Sequence, residues 1–458
     1  MSVPNDVRQS TRRGLEQLAT WAVGCEWTAV PVAARRRTVL IVADDLAAMV
    51  AGSSDPQARA VQSGFLEVLG PPEATVFGPG GRRAGRAVAA AANGAAADWA
   101  ELDEGYRPRT CHGGLYVLPA ALAEAEASGA SAADLLRATV VGYEVVTRVA
   151  RAFDLPSLAL HPHAVFSPLG ATAGVALLRR LDPAVLLGAL NAAMTLGQLG
   201  PFRHAVDGDL IRNVWPAVGA WTGIYAPSWA VAGVTGGADA CFDVLVGALG
   251  AVAHPERLTD GLGTSWAVLE GYHKLYACCQ YAHAAVEAAA DVYSRRSGLA
   301  SEVADVLVET HPLALGLDNA IPATSLAAKF SLPHIVATAL CTGDAAPASF
   351  EAAALDQPDV ATVRALVRME AFDPPLDPPH DRPARVTVRM ADGTVLSSEC
   401  LSARGGPDRP LGENELLEKV ETLTGAVHPA MVDTVRALLN IPATAERPWS
   451  EVVRRMVT

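Results

Sequence analysis

The hydrophobic pattern of this chain changes period twice, and that limits its architecture more than any other feature. From about Arg8 to about Gly261 nearly every segment reads as helix. Leu15 to Val23, Val39 to Val50 and Ala87 to Ala97 are alanine-rich or apolar runs punctuated by Gly and Pro. Ser131 followed by Asp134 makes a capping-box-like start, after which Leu135, Ala138, Val141, Val145 and Val149 recur at helical spacing. Ala171 to Arg180, Asn191 to Gly200, Trp215 to Ala232 and Ala238 to Leu249 continue the helical theme. After about Thr264 the character shifts. Val303 to Thr310 alternates like a strand. Arg385 to Met390 and Val395 to Cys400 flank a turn in which Asp392-Gly393 is a strong hairpin signal. Helical stretches at Ala282 to Ser294 and Ile335 to Leu340 lie between these strands, which predicts a smaller α+β domain with an antiparallel sheet. A Pro-rich connector, Pro374 to Pro383, reads as extended. From Gly412 the helical period returns over Glu413 to Leu423, Met431 to Leu439 and Trp449 to Met456. The expected fold is therefore mainly α. An all-helical domain over 1–263 resumes at 405–458, with an α+β domain inserted over 264–404.

At 458 residues the chain exceeds what one small core organises, and two or three domains are the default. Half the residues are hydrophobic but only 5% are aromatic, a composition that suits closely packed helices. Asp and Glu outnumber Lys and Arg by 49 to 36, and the net charge of −13 argues against nucleic acid or an anionic membrane as main partner. A local cationic pocket for a small anionic carboxylate remains compatible with that balance. No stretch approaches the roughly 20 uninterrupted apolar residues of a membrane-spanning helix. The N-terminal MSVPNDVRQSTRRG has no apolar core after its charges, so it does not read as a signal peptide. Seven cysteines without framework spacing read as reduced thiols, hence a cytoplasmic location.

Chemistry concentrates in Gly271 to Glu287, GYHKLYACCQYAHAAVE, where a lysine, tyrosines, two cysteines and a histidine precede an alanine-rich helix. This stretch resembles the "K-x-Y-x-C-C … H" signature of the MmgE/PrpD family, which includes 2-methylcitrate dehydratases and cis-aconitate decarboxylases. Lys274, Tyr276, Cys278, Cys279 and His283 fall where the signature wants them. Four more segments resemble family blocks in the family's order. They are Asn93 to Tyr106 followed by His112-Gly-Gly, His161 to Gly170, Leu210 to Ala217, and Ala328-Lys-Phe-Ser-Leu-Pro. No single block is specific; five in order are. There are departures. Arg212 stands at the family's lysine and Trp215 at its histidine, Glu101 opens the acidic run in place of aspartate, and Asp98 replaces a histidine.

The resemblance implies a lyase that needs no cofactor and no metal and acts on a small di- or tricarboxylic acid. Dehydration of a 2-methylcitrate-like substrate leads. Decarboxylation of a cis-aconitate-like acid, or epimerisation α to a carboxylate, is the alternative, and a non-catalytic ligand-binding paralogue stands outside the enzymes. Each of these reactions needs cations for carboxylates and a proton carrier beside the reacting carbon. His112 and His161 are the expected proton carriers, Lys274 a catalytic cation, and Asp103 the residue that orients a histidine or assists hydroxyl departure. Arg212, Glu101, Tyr276 and His283 are expected to bind substrate, Arg212 as a carboxylate clamp that does not release a proton. Cys278-Cys279 lacks a second pair at zinc-site spacing, and no phosphate or nucleotide loop is present. The resemblance also implies that the C-terminal helices fold back onto the first domain, that the mixed domain acts as a lid, and that the protein is a homodimer.

Overall fold

The computed structural model describes residues 5–68, 70–156, 159–298, 300–440 and 445–458; Met1 to Pro4 lie outside it. It is built around two hydrophobic cores. The first gathers helices α1 (Asn5–Gly24), α2 (Val32–Gly52), α3 (Arg86–Ala97), α4 (Gly113–Ser128), α5 (Ala132–Ala152), α6 (Pro162–Leu178) and α7 (Trp215–Val231). Alanine and glycine set how closely they pack. A Cβ on Gly223 of α7 would lie 2.3 Å from the Ala171 Cβ of α6, so no larger residue fits that crossing. α5 begins with the expected capping box, in which the Ser131 hydroxyl accepts from the Asp134 N–H and the Asp134 carboxylate accepts from the Ser131 N–H.

The second core fills the space between helices α8 (His283–Arg295) and α9 (Leu332–Thr342) and a four-stranded sheet. Its strands are β1 (Val303–Thr310), β2 (Val367–Ala371), β3 (Ala384–Met390) and β4 (Val395–Cys400), in the order β4-β3-β1-β2. The β3–β4 hairpin turns at Asp392-Gly393, with Gly393 at φ 91°. The sheet is not wholly antiparallel as the sequence led us to expect. β2 runs parallel to β1, Val306 opposite Val367 and Thr310 opposite Ala371, after a crossover through α9. Its sequence, Val-Arg-Met-Glu-Ala, is a largely exposed edge, so the alternation that marks a half-buried strand is weak. One helical expectation also shifts. The helix expected over Asn191 to Gly200 spans Pro183–Thr195, and the chain then leaves it so that the Gly200 carbonyl can accept the His161 N–H at 2.8 Å.

Helices α10 (Glu413–Thr424), α11 (Met431–Leu439) and α12 (Trp449–Met456) return to the first core, α10 against α2 and α12 against α4 and α5. Among the described residues no helix is long and apolar enough to cross a membrane, and all seven cysteines are free.

Candidate active site

Two short segments from distant parts of the chain are held side by side where the cores meet. Gly105 pairs with Tyr272 and Tyr106 with Gly271 in a two-residue antiparallel ladder. This sets the acidic run Asp98 to Glu104 against the lysine segment. Glu101 adopts φ 54°, a left-handed conformation costly for a side chain with a Cβ and typical of a functionally constrained position. The Lys274 ammonium, buried, donates to Glu101 Oε2 at 2.8 Å and Asp103 Oδ1 at 3.1 Å. The Arg212 guanidinium, equally buried, pairs with Asp98 and Glu101 and lies over the Phe330 ring at 5.0 Å. Burial opposes charge on all of these groups, but the pairs overcome it. Asp103, facing Lys274 and His112, and Glu101, facing Arg212 and Lys274, are held below the usual carboxylate range. Lys274 and Arg212 are held above their ordinary values by the same carboxylates. Asp98 alone is pushed up, by burial.

Three histidines face this network. His112 is the N-cap of α4, and its Nδ1 lies 2.6 Å from Asp103 Oδ2 and 2.8 Å from the Glu104 carbonyl. Two acceptors at one nitrogen place the hydrogen there, which turns Nε2 toward the cavity, 3.5 Å from the Tyr272 hydroxyl. His161 caps α6 and stacks on Phe202. The His163 N–H donates to its Nδ1 and the Arg212 Nε–H points to its Nε2, both at 3.3 Å. Burial and the adjacent Arg212 charge keep His161 neutral, its pKa well below the ordinary value, so one of these two nitrogens carries the ring hydrogen and only the other accepts. Burial also holds His163 neutral; its Nδ1 is 2.8 Å from the Tyr116 hydroxyl and its Nε2 3.3 Å from Asp98.

The cavity, about 30 Å³, is lined by Glu101, His112, His161, Arg212, Lys274, Phe330 and Arg382. Asp103 stands directly behind Lys274 and His112. Tyr276 and His283, expected to bind substrate, do not line it. They pack ring to ring at 5.1 Å, and His283 Nε2 lies 3.3 Å from the Cys278 carbonyl. Past Lys274 the chain ties itself to the second core, through Ala277 N–H to the Ala345 carbonyl and Cys279 N–H to the Lys329 carbonyl, and this carries Tyr276 away. Cys279 does reach the cavity, but burial pushes its thiol up to about 12, so it stays protonated. Tyr272 and Arg382 were not singled out from sequence, Asp98 was visible only as a departure from the family pattern, and His163 was given no role in the site. Two departures from the family pattern nevertheless touch one another, because Asp98 is the partner of Arg212.

The two halves of the chain match the two halves of one family. Residues 16–259 match the MmgE/PrpD N-terminal domain and residues 276–440 the MmgE/PrpD C-terminal domain. The chain belongs to the MmgE/PrpD family. Curated relatives include a cis-aconitate decarboxylase-like protein of Aspergillus oryzae, 26% identical over 92% of this chain and 93% of its own length. A cis-aconitate decarboxylase of Aspergillus terreus is also 26% identical, over 90% of this chain and 89% of its own.

Beneath the site lies a second carboxyl pair, which fixes both ends of the loop that this family member uses to carry Asp103 and His112. Asp45 Oδ1 accepts the Glu104 N–H at 3.0 Å; Glu104 accepts the Gly114 N–H at 2.5 Å and the Tyr143 hydroxyl at 3.1 Å. A Cβ on Gly114 would lie 2.1 Å from Asp45 Oδ2, so only glycine lets the start of α4 approach this closely. Burial, with Asp103 and Asp44 nearby, pushes Glu104 up to about 8, and burial with Glu104 pushes Asp45 up as well. A carboxyl whose folded pKa is raised stabilises the fold fully below its ordinary value of 4.5, and the contribution is lost as pH rises toward 8. Glu104→Gln removes this titration and spoils the bond from Tyr143. Its melting temperature is therefore expected below wild type at about pH 5, with the gap narrowing toward about pH 8.5. A gap that does not change across that range, followed by calorimetry, contradicts a protonated Glu104.

Proposed function

We propose that this protein is a cofactor-independent lyase on a small carboxylic acid, with His112 as the group that moves the proton. The observation that carries the reading is the orientation of His112. Among the ionisable side chains of the cavity, it alone sets one ring nitrogen on a carboxylate and presents the other to the open space. Lys274 and Arg212 are locked in their protonated forms, Glu101 and Asp103 in their ionised forms, and His161 and His163 are kept neutral.

That asymmetry favours decarboxylation over dehydration, reversing the order drawn from sequence. Loss of water needs a base at carbon and an acid on the departing hydroxyl. Loss of CO2 needs only one proton delivery. The carbon–carbon bond breaks, its electron pair stays on carbon and spreads into the adjoining unsaturated system, and His112, doubly protonated at that point, gives its Nε2 proton to that carbon and is left neutral with its hydrogen on Nδ1. The ring then recovers a proton from water. The buried cations and the Tyr272 hydroxyl stabilise the charge that develops. The names of the relatives, decarboxylases of cis-aconitate, support the same reading. Purified protein incubated in D2O with a panel of alkylcitrates and aconitates, read by mass spectrometry, tests it. The expected product is lighter by CO2 and carries one deuterium at the protonated carbon. A product lighter by water restores dehydration. Thermal stabilisation by an acid without turnover points to the ligand-binding paralogue.

The segment 264–404 supplies Lys274, Phe330 and Arg382 to the cavity, which supports its role as a lid. The seven free cysteines support work in the reducing cytoplasm. We also assign the protein a homodimeric state through α7. That helix exposes Val218, Trp221 and Tyr225 at 39%, 43% and 37%, with Trp221 4.7 Å from Tyr225 and Tyr225 stacked on Trp229. A contiguous aromatic face of this kind is what a two-fold interface buries. Light scattering at micromolar concentration should give twice the chain mass, and Trp221→Glu should halve it. A monomeric wild type contradicts the assembly.

A further inference from the structure

The charges around the cavity set how many carboxylates a bound acid can carry. Four cationic side chains line it: Arg109, Arg212, Lys274 and Arg382. Three are already matched. Arg109 pairs with Asp154 at 2.6 Å, Arg212 with Asp98 and Glu101, and Lys274 with Glu101 and Asp103. Even with Asp98 protonated, Glu101 and Asp103 balance Arg212 and Lys274 one for one, and the one remaining charge, that of a protonated His112 set on Asp103, is consumed in proton delivery. Each substrate carboxylate set against those two cations therefore meets a neutral cluster rather than a positive one.

Arg382 is different. It is 8% exposed, and among the described residues no carboxylate pairs with it, because its neighbour Asp381 is taken by Arg107 at 2.7 Å. One terminal nitrogen donates to the Gln280 side-chain oxygen and the other to the Arg107 carbonyl, and Nε has no partner at all. A guanidinium has five N–H donors, so more than half of this one is uncommitted. Its position is fixed by packing over the Tyr281 ring at 5.1 Å. A buried cation with no counter-charge is costly to the fold, and a ligand carboxylate would offset that cost while accepting the free fork. The wall near His161 is of another kind, formed by Phe202, Phe330 and the neutral imidazole, with Arg212, already matched by Asp98 and Glu101, packed against the Phe330 ring. Such a surface favours release of an uncharged CO2 from a carboxylate placed there.

We propose that the substrate is a dicarboxylic acid, one carboxylate held by Arg382 beside Gln280 and the other, the one that leaves, set against the largely apolar wall of Phe202, Phe330 and His161. A third carboxylate finds no unpaired cation. The proposal rests on the lyase reading only for the fate of the second carboxylate; the anchoring at Arg382 is a statement about binding. Titration calorimetry on the full chain near pH 7 tests it with two probes, citraconate as a dicarboxylate and cis-aconitate as a tricarboxylate. Citraconate is expected to bind at least about tenfold more tightly than cis-aconitate. Arg382→Gln should weaken citraconate at least about tenfold, as loss of a charged hydrogen-bond partner does. Arg382→Lys, which keeps the charge but not the fork, should fall between. Damage to the fold would weaken both probes alike, so the ratio between them reads selectivity. Tighter binding of cis-aconitate, or unchanged citraconate affinity in Arg382→Gln, overturns the proposal. Citraconate binding through Arg382 with no acid turned over would leave the proposal standing and remove the lyase reading. Turnover of cis-aconitate with high affinity would do the reverse.

Discussion

Replacing Lys274 with alanine should lower turnover at least about a hundredfold, the scale of losing one preorganised electrostatic stabiliser in a closed site. The reason is geometric as well as electrostatic. The ammonium bridges Glu101 and Asp103, and Asp103 in turn holds His112. Removing it leaves two buried carboxylates short of a cation, a change that typically costs about 3–5 kcal/mol of stability. The variant should therefore melt lower, and the comparison of rates belongs to the fraction that remains folded. Lys274→Arg keeps the charge and should recover stability more than activity, because the fork cannot reproduce a single point between two carboxylates. Wild-type turnover in Lys274→Ala would remove the support for this site, whatever the fold.

His112→Gln should cost still more, about a thousandfold in kcat, within the usual reach of a positioned acid or base. The amide can keep a hydrogen bond to Asp103 but cannot exchange a proton at the cavity face. The loss should appear in kcat with KM nearly unchanged, since the ring is placed to act on the reacting carbon and not to anchor the acid. Asp103→Asn tests the orienting partner and should lie between wild type and His112→Gln, because the ring keeps the Glu104 carbonyl as a second acceptor at Nδ1. A His112→Gln variant with raised KM and normal kcat would make His112 a binding residue and return the proton to another group.

What was legible in the sequence follows from where each signal lives. The capping box at Ser131 and Asp134, the Asp392-Gly393 hairpin and the three C-terminal helices rest on local chemistry, and the structure has them where the pattern sets them. Glu101, Asp103, His112, His161, Arg212 and Lys274 come together because the family blocks carry them in order. Asp98 was visible only as a departure. A short acid at the end of an alanine-rich helix looks like a cap, and its role depends on Arg212, more than a hundred residues away. Arg382 had no signal, since it lies in a proline-rich connector and gains meaning only because its neighbour Asp381 pairs with Arg107 instead. Tyr276 and His283 fitted the signature but not the cavity, because backbone bonds to the second core turn that stretch aside.

The pairing of Asp44 has a consequence for how the protein is made. This carboxylate sits in α2, buried, with His273 Nδ1 at 2.7 Å and the Lys419 ammonium at 2.6 Å; Lys419 also donates to the Leu102 carbonyl at 2.8 Å. The acid leaves the ribosome long before its cation, which lies in α10. Synthesis proceeds from the N-terminus, so a nascent chain already carrying every cavity-lining residue still lacks the ammonium that neutralises the floor beneath them. The floor therefore closes only when α10 arrives, so a cavity complete in its lining still waits on a helix that contributes nothing to that lining.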